Sequence, residues 1–543
     1  MSSYAYLRDH TTIVKYKNQS INLLPQILGK KNMDWELNFY ILCSTIIFLL
    51  AFIFLIYKKK SSFSKYNLPP GPNGLPIFGN MFDLAGSEPY KKIASLKDKY
   101  GPILWLKIGP SMNTMVIQTV NSSSELFKNH DVTFSDRNIV DVNLAHNFYK
   151  GSMALAPYGN YWRFSRRICT MEMFVHKRIN ETTLIRQESM NKMLGWIEKK
   201  ASSRGVLEGI ELTRYVFLAS FNMLGNLILS KDLVTDPESE QGSAFFNAMK
   251  GIMEWSGVPN ISDIFPCLKM FDIQGLRKKM KRDMGKAIEI TKKFIEERIE
   301  ERKKGEENKS IKDLLDVLLD FEGSGKDEPA KLSEHEITII ILEMFLAGTE
   351  TTSSSVEWAL TELLRHPQAM AKVKLEISQV IGPNKKFEEH DIDSLPYMQA
   401  ILKESLRLHP PLPFLIPRKA IQDTKFMGHD VPKGTQVLVN VWAIGRDPEC
   451  WNDPFEFMPE RFLGSKVDVK GQIHELIPFG AGRRMCVGLP LGHRMMHFVF
   501  GSLLHEFDWE LPHNVSPKSI NMEESMGITA RKKQPLKVIP KRV

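Results

Sequence analysis

The sequence predicts a mainly α protein with a small β portion, preceded by one N-terminal transmembrane helix. Residues 37–57 form an apolar stretch without a charge, residues 333–365 have the length and end signals of one long helix, and residues 436–442 have the composition of a short strand. The 543 residues are 43% hydrophobic, which is enough for a large buried core. Because residues 81–543 contain no repeat and no long Gly/Ser linker, we expect one large folded unit there.

Charge and cysteine content limit the classes of partner and site. The formal net charge of +9 is compatible with nucleic acid, an anionic membrane surface or an acidic protein as partner. Nucleic acid is disfavoured, since no zinc-finger or RNA-binding signature accompanies basic clusters such as residues 277–282. The five cysteines are odd in number, far apart and without a C-x-x-C pair. This usage disfavours a disulfide framework and a structural zinc site, and it fits a reducing compartment.

Residues 37–57 are predicted to be a membrane anchor. At 1.5 Å rise per residue such a helix spans roughly 30 Å, which is the thickness of a bilayer core. Lysines follow the stretch directly, whereas Asp34 and Glu36 precede it, so the positive-inside rule places the residues after 58 in the cytosol. The apolar region is longer than that of a cleaved signal peptide, and no small-residue cleavage site is evident. The sequence therefore predicts one span with a cytosolic globule.

The segments around the anchor differ in character. Residues 1–36 form an N-terminal tail, and its first 32 residues lack periodicity. Our hypothesis is that Met33 is the true initiator and that residues 1–32 are a gene-model extension. Residues 58–80 are basic and proline-rich, and because proline cannot continue a helix, this segment is predicted to be a semi-rigid hinge. Residues 81–543 are then the globular domain.

A glycine-rich loop around Cys486 carries the strongest signal for chemistry. Residues 478–488 have the sequence PFGAGRRMCVG, and a helix-like apolar stretch follows from 491 to 507. Glycines let a backbone fold tightly around a sulfur, and both backbone N–H groups and a helix N-terminus favour a thiolate. Taken alone, Cys486 could equally be a buried structural thiol or a hydrolase nucleophile.

The helix predicted over residues 333–365 should pass through the core. It is apolar on almost every side before Ala347, and Ser333 begins a capping-box pattern at its start. Ala347 and Gly348 are small and leave room for a flat group against the helix. The hydroxyl of Thr351 can bond back to the preceding turn and bend the helix, which is also the ordinary structural interpretation of a threonine there.

Two pairs on predicted helices are candidate binding or structural elements. Trp162 and Arg166 are four residues apart and carry hydrogen-bond donors only, which suits a carboxylate. Glu404 and Arg407 share a helix face. Such ion pairs usually lie at the surface and contribute under about 1 kcal/mol. A basic surface helix and a surface ion pair are therefore the alternative interpretations.

Together these motifs resemble those of cytochrome P-450 enzymes. The pattern F-x-x-G-x-R-x-C-x-G at residues 479–488 is similar to the haem-binding loop of that family, and AGTETT at 347–352 is similar to its oxygen-activation motif. The resemblance covers about residues 68–540, with the motifs in family order. It implies the cytochrome P-450 fold and a haem b whose iron is held by the thiolate of Cys486.

The resemblance also implies roles for the other candidate residues. The further haem contacts, the last four of them toward the propionates, are Phe479, Gly482, Gly488, Trp162, Arg166, Arg418 and Arg484. Thr351 assists oxygen activation and Glu350 belongs to a proton relay. A structural charge network joins Glu404, Arg407 and Arg461. The residues expected to line the substrate pocket are Phe148, Ala347, Gly348, Phe414, Leu415 and Ile528.

By the same resemblance, the expected function is that of a plant microsomal (class II) monooxygenase at the endoplasmic reticulum membrane. It would use O2 and NADPH-derived electrons, delivered by NADPH–cytochrome P-450 reductase. The overall sequence is most similar to terpenoid-oxidising members of the geraniol hydroxylase-like and iridoid oxidase-like types, so the expected substrate is a small apolar monoterpenoid or iridoid. Four alternatives stay open: oxidation of an alkaloid, phenolic or fatty acid, a reductase-independent thiolate-haem isomerase or dehydratase, a non-catalytic haem sensor, and a cysteine hydrolase.

Overall fold

The computed structural model describes residues 38–52, 66–84, 86–202, 208–305, 312–382 and 385–543. The chain divides into two units, Met1–Asn67 and Leu68–Val543. In the first unit, helix α1 (Asn38–Phe52) covers most of the predicted anchor, and its apolar side chains are exposed, with Phe48 at 73%. The tail, the ends of the predicted anchor at 37 and 53–57, and the predicted hinge up to 65 lie outside the described residues.

The second unit is built mainly of helices. Its α-helices are α2 (Pro89–Ala94), α3 (Lys97–Tyr100), α4 (Val120–Asn129), α5 (Phe148–Gly151), α6 (Asn160–Glu172), α7 (His176–Glu181), α8 (Thr183–Ala201), α9 (Leu212–Leu229), α10 (Glu240–Gly257), α11 (Ile261–Ile264), α12 (Leu276–Lys303), α13 (Leu314–Leu319), α14 (Glu334–Arg365), α15 (Pro367–Ile381), α16 (Pro396–Leu408), α17 (Val441–Ile444) and α18 (Leu489–Glu506). Among the described residues, α9 is the helix long and apolar enough to cross a membrane, and 78% of it is buried inside the globule. It is therefore a core helix.

The strands form four small sheets among the described residues. They are β1 (Ile103–Ile108), β2 (Met112–Ile117), β3 (Asp136–Arg137), β4 (Ile210–Glu211), β5 (Arg418–Lys419), β6 (Thr424–Phe426), β7 (His429–Val431), β8 (Gln436–Val439), β9 (Phe507–Glu510), β10 (Glu524–Met526), β11 (Ala530–Lys532) and β12 (Lys537–Arg542). The largest sheet has the order β1-β2-β8-β5-β3, with β2 and β8 parallel and the other pairs antiparallel. Strands β4, β12 and β9 form a second sheet.

Helix α14 is the centre of the core, as its sequence predicted. It packs against α9, α12, α16 and α18, and most of its side chains are buried. Its start is the predicted capping box: the Glu336 N–H donates to Ser333 Oγ (3.2 Å), and the Ser333 N–H donates to the Glu336 carboxylate (2.8 Å). The packing of these four helices therefore fixes the position of α14 in the core.

The strand predicted over 436–442 is shorter than expected. β8 ends at Val439, and the chain turns into α17 two residues later. The cause is Asn440, whose side-chain oxygen accepts a hydrogen bond from the Ala443 N–H (3.1 Å) and so caps a helix instead of continuing the strand. Residues 441 and 442 are consequently helical.

Candidate active site

A cavity of about 320 Å³ lies inside the helical unit. Side chains from α6, α10, α12, α14 and α18 line it, together with the loop around Cys486. The residues predicted from the sequence that line it are Cys486, Phe479, Gly488, Trp162, Arg166, Arg418, Arg484, Thr351, Phe148, Ala347, Gly348, Leu415 and Ile528. Residues from most of the length of the globule thus converge on one space.

Cys486 lies at the end of a tight loop that leads into α18. Its N–H donates to the Phe479 carbonyl (2.9 Å), which closes the loop. Gly480 and Gly482 have φ values of 74° and 68°, a conformation that side-chain-bearing residues rarely adopt. The backbone N–H groups of Gly488 and Leu489 donate to the sulfur. The loop and the helix start therefore hold Sγ in one place.

The sulfur of Cys486 faces the cavity in a desolvated environment. Its side chain is accessible, but the access is from the internal cavity, and burial in the protein raises the pKa of the thiol. The Gly488 N–H and the Arg166 guanidinium act in the opposite direction, toward the thiolate. A thiol in such a place is fully deprotonated when it coordinates a metal cation. The site therefore fits a cationic metal centre bound through sulfur.

Asp131, which no sequence motif indicated, ties the loop to an arginine. Its carboxylate accepts from Arg418 Nη1 (2.8 Å) and from the Arg483 N–H (2.8 Å). Gly482 packs directly on this carboxylate, since a Cβ there would lie 2.5 Å from Asp131 Oδ1. Gly482 therefore shapes the loop from behind and does not itself line the cavity.

Four buried or half-buried guanidinium groups form one edge of the cavity, called here the arginine edge: Arg137, Arg166, Arg418 and Arg484. Arg484 donates to the carbonyls of Ser135 (2.9 Å) and Ala156 (2.7 Å), and Arg137 donates to that of Ala154 (2.9 Å). Burial and the neighbouring arginines lower the pKa of Arg137, and burial and Arg418 lower that of Arg484 to about 10. Mutual repulsion of these cations would be relieved by anionic groups.

Trp162 and Arg166 lie on one face of α6, as their spacing predicted. The Arg166 guanidinium carbon is 5.8 Å from the Trp162 ring centroid, and that of Arg484 is 4.6 Å from the same ring. Within the described part of the chain, neither Trp162 Nε1 nor the Arg166 guanidinium has a hydrogen-bond acceptor. These donors, together with the arginine edge, fit the two carboxylates of a haem, and the apolar space beside Cys486 fits its macrocycle.

Helix α14 supplies the opposite wall. Thr351 Oγ1 donates to the Ala347 carbonyl (2.6 Å), which is the predicted bond to the preceding turn. Gly348 is also required for packing, because a Cβ there would lie 2.7 Å from Leu224 of α9. Glu350 lies outside the cavity wall, where it accepts from the hydroxyl of Thr529 and its burial raises its pKa. Since Thr529 lines the cavity, Glu350 is connected to it through that hydroxyl.

Phe414 does not line the cavity, although its neighbours Leu415 and Ile416 do. It packs edge-on against Tyr90 in the core, with ring centroids 6.2 Å apart. Leu415 has a positive φ of 54°, so the chain changes direction there. Leu415 and Ile416 then face the cavity, and Phe414 faces the core. The sequence gives no sign of this turn, so the prediction for Phe414 is wrong at the level of side-chain direction.

Glu404 and Arg407 form a buried ion pair. Both side chains are fully buried, with Arg407 Nε 2.7 Å from Glu404 Oε2. Arg461 Nε donates to Glu404 Oε1 (3.1 Å), and Arg407 Nη1 donates to the carbonyl of Gly445 (2.6 Å). The three predicted residues therefore make one network outside the cavity, and the surface interpretation of the pair is excluded.

The unit is mainly helical, and its cavity combines one cysteine sulfur, the arginine edge and a helix face of small residues. This combination is typical of a haem-thiolate protein. The Cytochrome P450 family model matches residues 69–539, and the chain belongs to that family. It is thus a monooxygenase of the oxidoreductase class, which works with haem on a cysteine thiolate, a redox partner, O2 and a small-molecule substrate.

Several proteins to which the chain is similar come from plants. The chain is 88% identical to "Cytochrome P450 76A1" of Solanum melongena, over 86% of this chain and 100% of the relative. It is 50% identical to the "Iridoid oxidase" of Catharanthus roseus, over 90% and 95%, and 42% identical to the "Geraniol 8-hydroxylase" of that species, over 91% and 99%. Among solved structures, a zebra fish cytochrome P450 with progesterone matches with a TM-score of 0.68 and 26% identity, over 83% of this chain and 99% of that one. The predicted family and fold are confirmed.

Proposed function

We propose that this protein hydroxylates, or oxidises further, a small apolar terpenoid of the monoterpenoid or iridoid type. The observation that carries the proposal is the apolar cavity that contains both the sulfur of Cys486 and the Ala347–Thr351 face of α14. The similarity to an iridoid oxidase and a geraniol 8-hydroxylase supports the terpenoid class. The part of the cavity wall away from the arginine edge is mostly apolar, with residues such as Phe148, Leu224 and Ile252, and this suits such a skeleton.

We assign the haem-binding roles to the Cys486 loop, to Trp162 and to residues of the arginine edge. Cys486 ligates the iron, and Trp162, Arg166, Arg418 and Arg484 bind the propionates. The bound haem activates oxygen, and its thiolate ligand donates electron density that favours O–O cleavage. The chain supplies the sulfur, the cations and an apolar enclosure that keeps water out.

Thr351 and Glu350 are assigned to proton handling. The Thr351 hydroxyl lies on the cavity face of α14, where it can hold a proton or an ordered water near the reacting oxygen. Glu350 reaches the same space through the Thr529 hydroxyl, and its raised pKa suits a group that must take up and release a proton. The two residues together are the proposed relay.

Electron supply and location complete the proposal. NADPH–cytochrome P-450 reductase is the proposed donor, bound to the endoplasmic reticulum membrane beside this chain. The exposed apolar side chains of α1 support the proposed anchor at residues 37–57. Residues 58–80 are the proposed hinge and 81–543 the cytosolic monooxygenase domain. A shared membrane raises the effective concentration of the two proteins.

Reconstitution tests the proposal. The full chain, loaded with haem, is incubated with reductase, NADPH and a panel of monoterpenoids and iridoids, and the products are analysed by mass spectrometry under labelled O2. We expect products that carry one labelled oxygen atom and that depend on NADPH. Products formed equally without NADPH would instead identify an isomerase or dehydratase. Turnover of fatty acids or alkaloids, with none of the terpenoids, would contradict the substrate class.

A further inference from the structure

One pair of uncharged polar side chains lies on the cavity wall apart from the arginine edge. Asn143 belongs to the 3-10 segment Asp141–Asn147, and Ser256 lies near the end of α10. The Ser256 hydroxyl donates to Asn143 Oδ1 (3.2 Å), and both residues line the cavity. Asn143 is 94% buried, yet nothing in the described ranges accepts a hydrogen bond from its Nδ2. A buried amide with an open donor facing a cavity requires a partner there.

Three other polar side chains on or beside this cavity, those of Thr351, Thr529 and Glu343, have partners within the chain. Thr351 donates to a backbone carbonyl of its own helix, and Thr529 donates to Glu350. Glu343 accepts from the Met153 N–H (2.7 Å) and the Ala154 N–H (3.1 Å). The Asn143 amide differs from these because its Nδ2 donor is open. It differs from the open donors Trp162 and Arg166 because it lies outside the arginine edge, which contains Arg166 and contacts the Trp162 ring.

The pair is held in place by contacts outside the cavity. Asp141, two residues before Asn143, binds Arg277 of α12 through Oδ2 (2.8 Å) and Lys269 through Oδ1 (2.8 Å). At the other end of the segment, the His146 ring bonds to the Lys281 carbonyl (2.9 Å). The segment is therefore tied to α12 on both sides of Asn143.

Ser256 is fixed by the packing of the end of α10. The Ile528 N–H donates to the Met253 carbonyl (3.1 Å). Gly257 lies directly against Gly527, so that a Cβ on Gly257 would lie 1.7 Å from the Gly527 carbonyl carbon. A polar pair held by its surroundings binds a ligand without paying the entropy of ordering, which makes its hydrogen bonds effective.

The chemistry of the pair selects one kind of ligand group. Asn143 Nδ2 offers a donor, and the Ser256 oxygen, whose proton is used by Asn143, offers an acceptor. A hydroxyl group, which accepts one hydrogen bond and donates another, is complementary to both. The charged side chains that line the cavity are the four arginines of the arginine edge and Glu343. Glu343 accepts hydrogen bonds from the backbone of Met153 and Ala154. Among the described side chains that line the cavity, a carboxylate at the pair would therefore find no cation outside the arginine edge.

We propose that Asn143 and Ser256 form a substrate subsite that binds the hydroxyl group of an otherwise apolar alcohol. The inference rests on the proposed function, and it names the substrate class as a terpenoid alcohol. The subsite holds the hydroxyl end of the substrate against the 141–147 segment and the end of α10. A carbon remote from that hydroxyl then lies toward Cys486.

Binding titrations on the haem-loaded full chain test the subsite. The probes are geraniol, the hydrocarbon of the same carbon skeleton and the corresponding carboxylic acid, and the change in haem absorption gives each Kd. We expect the wild type to bind the alcohol most tightly. In Asn143→Leu the ratio of alcohol to hydrocarbon affinity should fall about three- to tenfold, since a neutral hydrogen bond contributes that much. Ser256→Ala should lower the ratio in the same direction.

Met284→Leu is the matched control, because Met284 lines the cavity without a polar atom in a hydrogen bond. It should leave the ratio unchanged. Asn143→Leu is informative only if it gives the haem-thiolate spectrum with carbon monoxide. If it does not, the ratio of alcohol to hydrocarbon affinity in Ser256→Ala is the test of the subsite. Equal affinities of the wild type for alcohol and hydrocarbon would contradict the subsite and leave the proposed function standing. A wild type that binds none of the three probes would contradict both.

Discussion

At the scale of single residues, the cavity separates roles that local sequence reveals from roles that it hides. Cys486 and Thr351 stand in dense motifs, and the structure places both on the cavity wall. Arg137 and Asn143 stand in no motif, and they join the cavity because a strand and a 3-10 segment happen to face it. Phe414 is the reverse case, because it was predicted to line the pocket and packs in the core against Tyr90. The next residue, Leu415, has a positive φ, and the local sequence does not reveal this turn.

Replacing Cys486 with alanine should abolish the thiolate-type absorption of the reduced carbon-monoxide complex. Cys486 is the only cysteine among the described side chains that line the cavity, and a thiolate is the anionic soft ligand that iron binds in a haem-thiolate site. Cys450→Ala, at an exposed cysteine, is the control and should keep the absorption. An unchanged spectrum in the Cys486 variant would mean that another residue binds the iron.

Thr351→Ala should retain haem but consume NADPH without forming product. Removing the hydroxyl from the cavity face removes a positioned proton donor, and such groups contribute on the order of 10²–10⁴ in rate. Thr349→Ala is the matched control, because Thr349 makes the same bond to the preceding turn (2.7 Å to the Phe345 carbonyl) but is buried away from the cavity. Product and hydrogen peroxide formed per NADPH are measured. Equal coupling in the two variants would argue against the relay.

At the scale of secondary-structure elements, the sequence predicted an end correctly where a motif of neighbouring residues marks that end. The capping box at Ser333 placed the start of α14, whereas the end of β8 depended on which way the Asn440 side chain turned. The Glu404–Arg407 pair shows a different limit: spacing indicated a shared helix face, but only the packing of α16 against the 459–462 turn made it buried.

Glu404→Gln should lower the free energy of unfolding by about 3–5 kcal/mol, which is the usual effect of breaking a buried ion pair. The variant leaves the guanidinium groups of Arg407 and Arg461 without their shared carboxylate. Glu300→Gln, at an exposed pair with Lys303 on α12, should show no measurable change. Unfolding is followed by circular dichroism in denaturant. Similar stabilities of the two variants would show that the network is dispensable.

Glu357 should make stability depend on pH through the contact of α14 with the C-terminal strand region. Its buried carboxyl accepts from the Leu536 N–H (2.7 Å), and burial raises its pKa. The folded state therefore holds this proton more tightly than the unfolded chain, so the stabilisation is complete below the unfolded pKa of about 4.3 and is lost as pH rises through the folded pKa.

Glu357→Gln removes that titration. The variant should gain stability relative to the wild type as pH rises above about 4.3, by no more than about 1.4 kcal/mol per pH unit, and the difference should become constant above the folded pKa. Denaturant midpoints measured across the pH range check it. A difference independent of pH would contradict the assignment.

At the scale of the whole molecule, composition and motif order predicted the class of fold, since a long apolar helix and the Cys486 loop belong together in one family. The shape of the cavity could not be predicted in the same way. Asn143 and Ser256 are 113 positions apart, and their hydrogen bond exists only because α12 holds one segment while the 527–528 turn holds the other.

A chain that begins at Leu68, the first residue of the globular unit, should bind phospholipid vesicles much less than the full chain. The loss follows because a transmembrane helix inserts almost irreversibly, whereas surface contacts are weak. Sedimentation with vesicles gives the bound fraction, and the carbon-monoxide spectrum shows that the shortened chain still holds haem. Undiminished sedimentation of the shortened chain would contradict the predicted anchor.

On one side of the active site, the backbone at Gly257 lies directly against the backbone at Gly527. Two stretches of backbone touch there with no side chain between them, so a residue larger than glycine at position 257 would push the two stretches apart. Ser256 and Ile528 flank this contact and line the cavity, so an exchange at either residue should change what the cavity accepts while the backbone contact itself is kept.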